Sequence, residues 1–139
     1  MKTRIIDNKE QVFCEWRRRF VRLTPEEWVR QQVLERLEKE YGYPHSLTGV
    51  EVPIEVAGLR KRCDAVVYSI DMKPLMLLEF KAERVPLTQR VLDQAVVYNR
   101  ELHVPYLMLS NGVQSVVVRV LPTEYEYLNQ IPLWNQLSN

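Results

Sequence analysis

The sequence predicts an α/β fold, a central mixed sheet flanked by helices. Three observations carry that prediction. A helix with a complete start signal begins at Thr24. Three strand-like runs follow one another between residues 50 and 81. A second helical pattern, from Thr88 to Leu102, then leads into a hairpin around Asn111-Gly112. Residues 65–68 and 75–80 are apolar on both faces, as in central strands covered on both sides.

The chain has 139 residues, the size of one domain, with residues 1–23 an N-terminal extension and 122–139 a C-terminal tail. Its hydrophobic fraction of 46% and charged fraction of 27% are ordinary globular usage and argue against disorder. A net charge of +1 is low for a protein that grips nucleic acid unaided, so DNA binding calls for a local patch, a weak grip or a partner that supplies the affinity. Cys14 and Cys63 have no paired spacing, which reads as buried thiols in a reducing compartment. No apolar run approaches membrane length, and the first residues lack the apolar core of a signal peptide. The expected location is the cytoplasm.

The extension contains one candidate strand, Gln11 to Glu15. Arg17, Arg18, Arg19 and Arg22 then crowd between Trp16 and Phe20 and beyond. Such a segment can contact phosphates, but the near-balanced total charge favours a solvated basic stretch.

Thr24-Pro25-Glu26-Glu27 is a capping box: Thr24 at the N-cap, Pro25 at the first helical position, Glu27 reaching back to the cap amide. Val29, Val33, Leu34, Leu37 and Tyr41 form the apolar stripe, and Gly42 with Pro44 ends the helix. Arg30 falls inside that stripe and needs a partner; Glu26, one turn earlier, is the expected one.

Val50 to Val56 alternates, with Val50, Val52, Ile54 and Val56 on one face and Glu51, Pro53 and Glu55 on the other. Turns at Ala57–Arg60 and Asp71–Pro74 separate it from strands at Lys61–Ile70 and Leu75–Lys81. Those turns pair Val56 with Lys61 and Ile70 with Leu75. Asp64 then faces Lys81, and Val66 faces Glu79. Asp64, Glu79 and Lys81 share one face, with the two acids diagonal neighbours about 7–8 Å apart. Glu51 and Glu55 fall on that face too, opposite Val66 and Arg62.

Two acids clustered on a sheet raise each other's pKa, and a divalent cation resolves the repulsion. Magnesium, with manganese as a substitute, takes oxygen ligands and commonly uses one or two carboxylates plus a phosphate. Asp64 and Glu79 are the candidate ligands, and Lys81 is placed to orient water or to stabilise phosphoryl charge. The bland alternative is a charged edge on which Lys81 merely pairs with an acid.

The combination of TPEEWVRQ and EYGYP around the first helix, KRCD at Asp64, LLEFKA at Glu79 and Lys81, QAVVY from Gln94 to Tyr98, and LSNG from Leu109 to Gly112 resembles the PD-(D/E)xK nuclease superfamily. Within it, the chain is similar to the N-terminal nuclease domain of type I restriction enzyme R subunits, from about Thr24 to Gly112. The resemblance implies a restriction-endonuclease-like fold and a metal-dependent DNA endonuclease domain. It maps metal-binding acids onto Asp64 and Glu79, a catalytic lysine onto Lys81, and a Gln-x-x-x-Tyr motif onto Gln94 and Tyr98. It also implies DNA, and the modification or motor subunits of a restriction system, as partners. Cys63 stands where the family pattern has proline. The runner-up reading is an inactive nucleic-acid-binding or partner-docking module of the same fold.

Gln94 and Tyr98 are four apart and stack on one face of a helix that Thr88 can cap. Pro105–Ser110 is a buried strand, with Gln114–Leu121 its hairpin partner. Glu124–Asn129 is read as a short helix, and Leu133 and Trp134 as docking on the body or on a partner. His45 and His103 read as structural or surface residues. No Gly-rich loop followed by Lys-Ser/Thr occurs, so the chain carries no ATP-driven motor.

Overall fold

The structure is a computed structural model that describes residues 1–137. The last two residues of the expected tail, 138 and 139, lie outside the described residues. A six-stranded sheet forms the centre, in the order β4-β5-β6-β7-β8-β9. Its strands are β4 (Thr48–Val56), β5 (Leu59–Tyr68), β6 (Pro74–Phe80), β7 (Tyr106–Ser110), β8 (Ser115–Val120) and β9 (Tyr125–Leu128). Helix α1 (Pro25–Tyr41) covers one face and α2 (Gln89–Leu102) the other. β4 to β6 run antiparallel; the α2 crossover sets β7 parallel to β6; β8 and β9 return antiparallel. This is the α/β arrangement expected of a restriction-endonuclease-like fold. No helix among the described residues is long and apolar enough to cross a membrane.

Both helices start and stop where local chemistry dictates. Thr24 Oγ1 accepts from the Glu27 N–H at 3.0 Å, and Gly42 adopts a left-handed φ of 74° that closes α1. Val29, Val33, Leu34 and Leu37 pack onto Ala65, Val67, Met76, Leu78 and Met108. Beneath α2, Val91, Leu92, Ala95 and Tyr98 meet Val66, Leu77, Leu107 and Val118. Each aliphatic side chain buried in this way contributes about 1.5–3 kcal/mol. Thr88 begins α2 without a side-chain capping bond.

The register differs from expectation by two residues at the first turn, and at the second by three, which the bulge beyond it reduces to two. Ala57 and Gly58, at φ 50° and 79°, make a two-residue turn of the primed kind, so Val56 pairs with Leu59 rather than Lys61. On the other side Ala65 pairs with Leu78, and a bulge at Val67/Tyr68 absorbs the difference. A two-residue slip by itself leaves side chains on their expected faces; only the break at Glu51 and Asp64 changes them.

Three further expectations change, and one is met in part. The N-terminal extension is a three-stranded antiparallel meander: β1 (Thr3–Ile6), β2 (Lys9–Cys14) and β3 (Arg19–Arg22). The 124–129 segment is strand β9, not a helix, because Tyr125-Glu126-Tyr127 pairs along the free edge of β8. Alternation in β4 breaks at Glu51, whose φ is 54°. Val50 packs in the α1 cluster, whereas Val52, Ile54 and Val56 pack in the α2 cluster. Trp134 docks on the body, its indole N–H donating to Tyr68 O at 3.3 Å, while Leu133 stays exposed.

Candidate active site

The β5–β6 ladder ends at Ala65 and Leu78. Beyond that pair the strands open into a fork, and two carboxylates occupy it. Asp64 N–H donates to Glu79 Oε2 at 2.9 Å, and Phe80 N–H donates to Asp64 Oδ2 at 2.7 Å. Side chains thus take the place of the missing backbone carbonyls. The register puts Asp64 across from Glu79, one step past the last pair, rather than across from Lys81 as expected.

A backbone irregularity accompanies the fork. Val50 pairs with Ala65 and Val52 with Cys63, leaving Glu51 and Asp64 as the unpaired step between them. Ala65 faces the α1 cluster and Cys63 the α2 cluster, so β5 changes face across Asp64 just as β4 does across Glu51. Breaks of this kind re-aim side chains and recur beside functional sites.

Glu79 is only 7% exposed. Burial pushes its carboxyl up, the charge of Asp64 pushes further, and the Asp64 N–H and Lys81 ammonium only partly oppose them, leaving it at about 9. The same burial and the two acids push the Cys63 thiol up to about 12. A buried carboxylate facing a second one, with a single ammonium nearby, is an oxygen donor set suited to a hard divalent cation. Among the described residues no group of three or more His, Cys, Asp or Glu side chains is placed to hold a metal. Asp64 and Glu79 are the two carboxylates that the fork could offer to such a cation.

Lys81 directly follows β6, half-exposed, and its N–H donates to Ser110 O at 3.0 Å. This anchors it at the carboxyl end of the parallel β6–β7 pair, the end at which ligands of such sheets bind. A groove of 260 Å³ lined by Pro25, Trp28, Ala82, Glu83 and Arg84 adjoins this end. A concavity of 550 Å³ lies elsewhere, lined by residues such as Lys73, Asn99, His103 and Pro122, and shares no residue with the acids.

Gln94 and Tyr98 do lie together on α2, with Gln94 Nε2 donating to the Tyr98 hydroxyl at 2.9 Å. Tyr98 is buried in the α2 cluster beside Cys63 and Leu77, while Gln94 is exposed. Neither forms a hydrogen bond to Asp64, Glu79 or Lys81.

A charged relay that the residues' order does not display reaches the site from the other face. Glu27 is 4% exposed, and its carboxylate leaves the cap to meet Arg17, Arg30 and Gln31. Burial pushes the Glu27 carboxyl up, but hydrogen bonds from Arg17 and Gln31 and the arginine charges outweigh it, holding the group below its ordinary value. Arg30 takes Glu27, not Glu26, as its partner at 2.9 Å, and donates through Nη1 to Asp64 O at 3.2 Å. Its Nη1 is also 3.9 Å from Asp64 Oδ1. Arg17, read from sequence as solvated, is largely buried and pairs with both Glu27 and Glu51. Glu51 also meets Arg62 at 3.5 Å, so it is neutralised by arginines instead of joining the acids. Glu55 pairs across with Arg60, away from the fork. The one signal of this relay in the sequence is Arg30 within an apolar stripe.

The family model described as type I restriction enzyme R protein N terminus matches residues 25–132. A solved structure described as "a putative nuclease belonging to DUF820", from Anabaena variabilis ATCC 29413, aligns over 86% of this chain and 76% of its own, at 9% identity and a TM-score of 0.49. No curated protein matches the sequence.

Proposed function

Since the chain belongs to the family of the type I restriction enzyme R protein N terminus, we propose that it is a metal-dependent DNA endonuclease domain that hydrolyses the phosphodiester backbone. The observation that carries this reading is the fork: two opposed carboxylates, one of them buried and held at about 9, with Lys81 beside them. Magnesium, or manganese in its place, is the cation such donors take, and Asp64 and Glu79 would hold it. When bound, the cation neutralises phosphate charge and lowers the pKa of a water.

The chain's own groups do the rest. Asp64 is kept in place from three sides: by the Phe80 N–H on its carboxylate, by Glu79 on its own N–H, and by Arg30 on its carbonyl. Holding both acids in place before substrate arrives lowers the reorganisation that cleavage requires. Lys81 orients the attacking water and stabilises charge on the phosphoryl oxygens. Gln94, exposed and braced by Tyr98, meets the DNA backbone. Modification or motor subunits of a restriction system are the partners this reading expects.

The test is cleavage of supercoiled plasmid by the purified chain with magnesium or manganese and without ATP. Nicked or linear product is expected, and Asp64→Ala should abolish it. Absence of product with either metal, or equal product from the variant, would overturn the reading.

A further inference from the structure

The family match begins at residue 25, so the meander lies outside it, and the chemistry above makes no use of the meander's outer face. Residues 1–23 carry seven lysines and arginines against three acids, a net of +4 in a chain whose total is +1. The register sorts those charges by face. Arg4 pairs with Gln11, which pairs with Arg22; Ile6 pairs with Lys9; Phe13 pairs with Phe20. Directly opposed residues share a face, and alternation joins these pairs into one surface. Val12 and Cys14, on the other face, are buried against the body. The surface holding Arg4, Lys9 and Arg22 therefore points to solvent. No acid lies on it among the strand residues, because Glu10 pairs with Ile5 on the opposite face.

Two aromatic rings organise the cations. Phe13 and Phe20 meet edge to face, 5.3 Å between centroids. The Lys2 ammonium lies 5.6 Å from both rings, and the Arg4 guanidinium 3.8 Å from Phe20. Arg18 lies over Phe13 at 5.9 Å. With their faces taken by cations, the rings act as supports rather than as open platforms for bases. Arg18 pairs with Glu15 at 3.2 Å, whereas Arg4, Lys9 and Arg22 have no acidic partner among the described residues; such cations, pre-set on a sheet, fit a row of phosphates. The meander is also held in fixed relation to Asp64, through Arg17, Glu27 and Arg30.

We infer that the outer face of the meander is a second nucleic-acid contact, taking the sugar–phosphate backbone without regard to sequence and separately from the fork. This goes beyond the cleavage reading, because cations bind phosphate whether or not it is cut. The competing account is that the charges only deter edge-to-edge pairing of β1 and β3.

The experiment is fluorescence anisotropy with labelled single-stranded and duplex DNA, in EDTA, over a range of salt. Wild type is compared with the triple variant Arg4→Ala, Lys9→Ala, Arg22→Ala, and with Lys39→Ala, Lys73→Ala as a charge control elsewhere on the surface. Circular dichroism checks that each folds. The triple variant should bind about 10-fold or more weaker, with the slope of log K against log salt reduced by roughly 2–3. The control should match wild type. An unchanged salt slope in the triple variant, an equal loss in the control, or no binding by wild type to either DNA would overturn the inference. Plasmid nicking is scored separately: its absence would remove the cleavage reading and leave the binding result standing.

Discussion

Asp64 and Glu79 clasp each other across the open end of β5 and β6. Glu79 Oε2 accepts the N–H of Asp64 at 2.9 Å, and Asp64 Oδ2 accepts the N–H of Phe80, the residue after Glu79, at 2.7 Å. Each acid closes a ladder position of the other's strand. The pair is therefore structural and chemically poised at once, and both properties can be measured.

The first prediction is a pH dependence. The Glu79 carboxyl moves from an ordinary value of 4.5 to about 9 on folding. Between those values the folded chain holds a proton that the unfolded chain has lost, so stability falls as pH rises through that window. Denaturation midpoints of the metal-free protein should drop from pH 5 towards pH 9. Glu79→Gln should flatten that drop. Magnesium should oppose it, and its affinity should climb with pH as the proton gives way. A wild-type profile as flat as that of the variant would contradict the assigned shift.

Lys81→Ala separates chemistry from architecture. Lys81 is half-exposed, and its backbone contact to Ser110 survives the substitution. Stability should stay within about 0.5 kcal/mol of wild type. Plasmid nicking should fall by about 10²-fold or more, while manganese still binds. Isothermal titration with manganese alongside the nicking rate distinguishes a lost water-positioning group from a lost metal site.

Arg17→Met breaks the relay at its outer end. The substitution leaves Glu27 with Arg30 and Gln31 only, and Glu51 with Arg62 only. Removing one partner of a buried pair costs about 3 kcal/mol. The loss should be largest at neutral pH. The Glu27 carboxyl is held below 4.5, so its stabilisation is complete above that value and disappears as pH falls. Adding Glu27→Gln should recover much of the loss, and denaturant melts of the double-mutant cycle read out the coupling.

Ala57→Asn should stabilise the protein. Ala57 occupies φ 50° before Gly58 at φ 79°, and a β-carbon is disfavoured there unless the side chain is one that tolerates the left-handed region. A gain of roughly 0.5–1 kcal/mol is expected in urea melts. Destabilisation would mean that the two-residue turn, and with it the Val56–Leu59 register, is misassigned.

Much of this protein is legible from its residues taken in order. The Thr24 cap, the left-handed Gly42 and the Asn111-Gly112 turn are local chemistry that acts within four residues. Strand faces have a period of two, so the pairing along β5 could shift by two residues on both sides and still keep Asp64 and Glu79 neighbours. Contacts between distant segments follow no such period. Arg17 reaches Glu51 and Arg30 reaches Asp64 across 34 positions each. Glu27 satisfies the pattern of a capping acid, yet burial beside two arginines gives it a stronger partner than the cap amide. Glu51 takes a left-handed φ that nothing in its neighbours announces. The sequence by itself determined which chemical groups stand near the sheet centre and on which face; the tertiary structure decided which of them are neutralised by arginines and which remain as an opposed pair of acids. The physical reason is that periodicity and capping act over a few residues, whereas a buried charge is settled by whichever partner packing brings within reach.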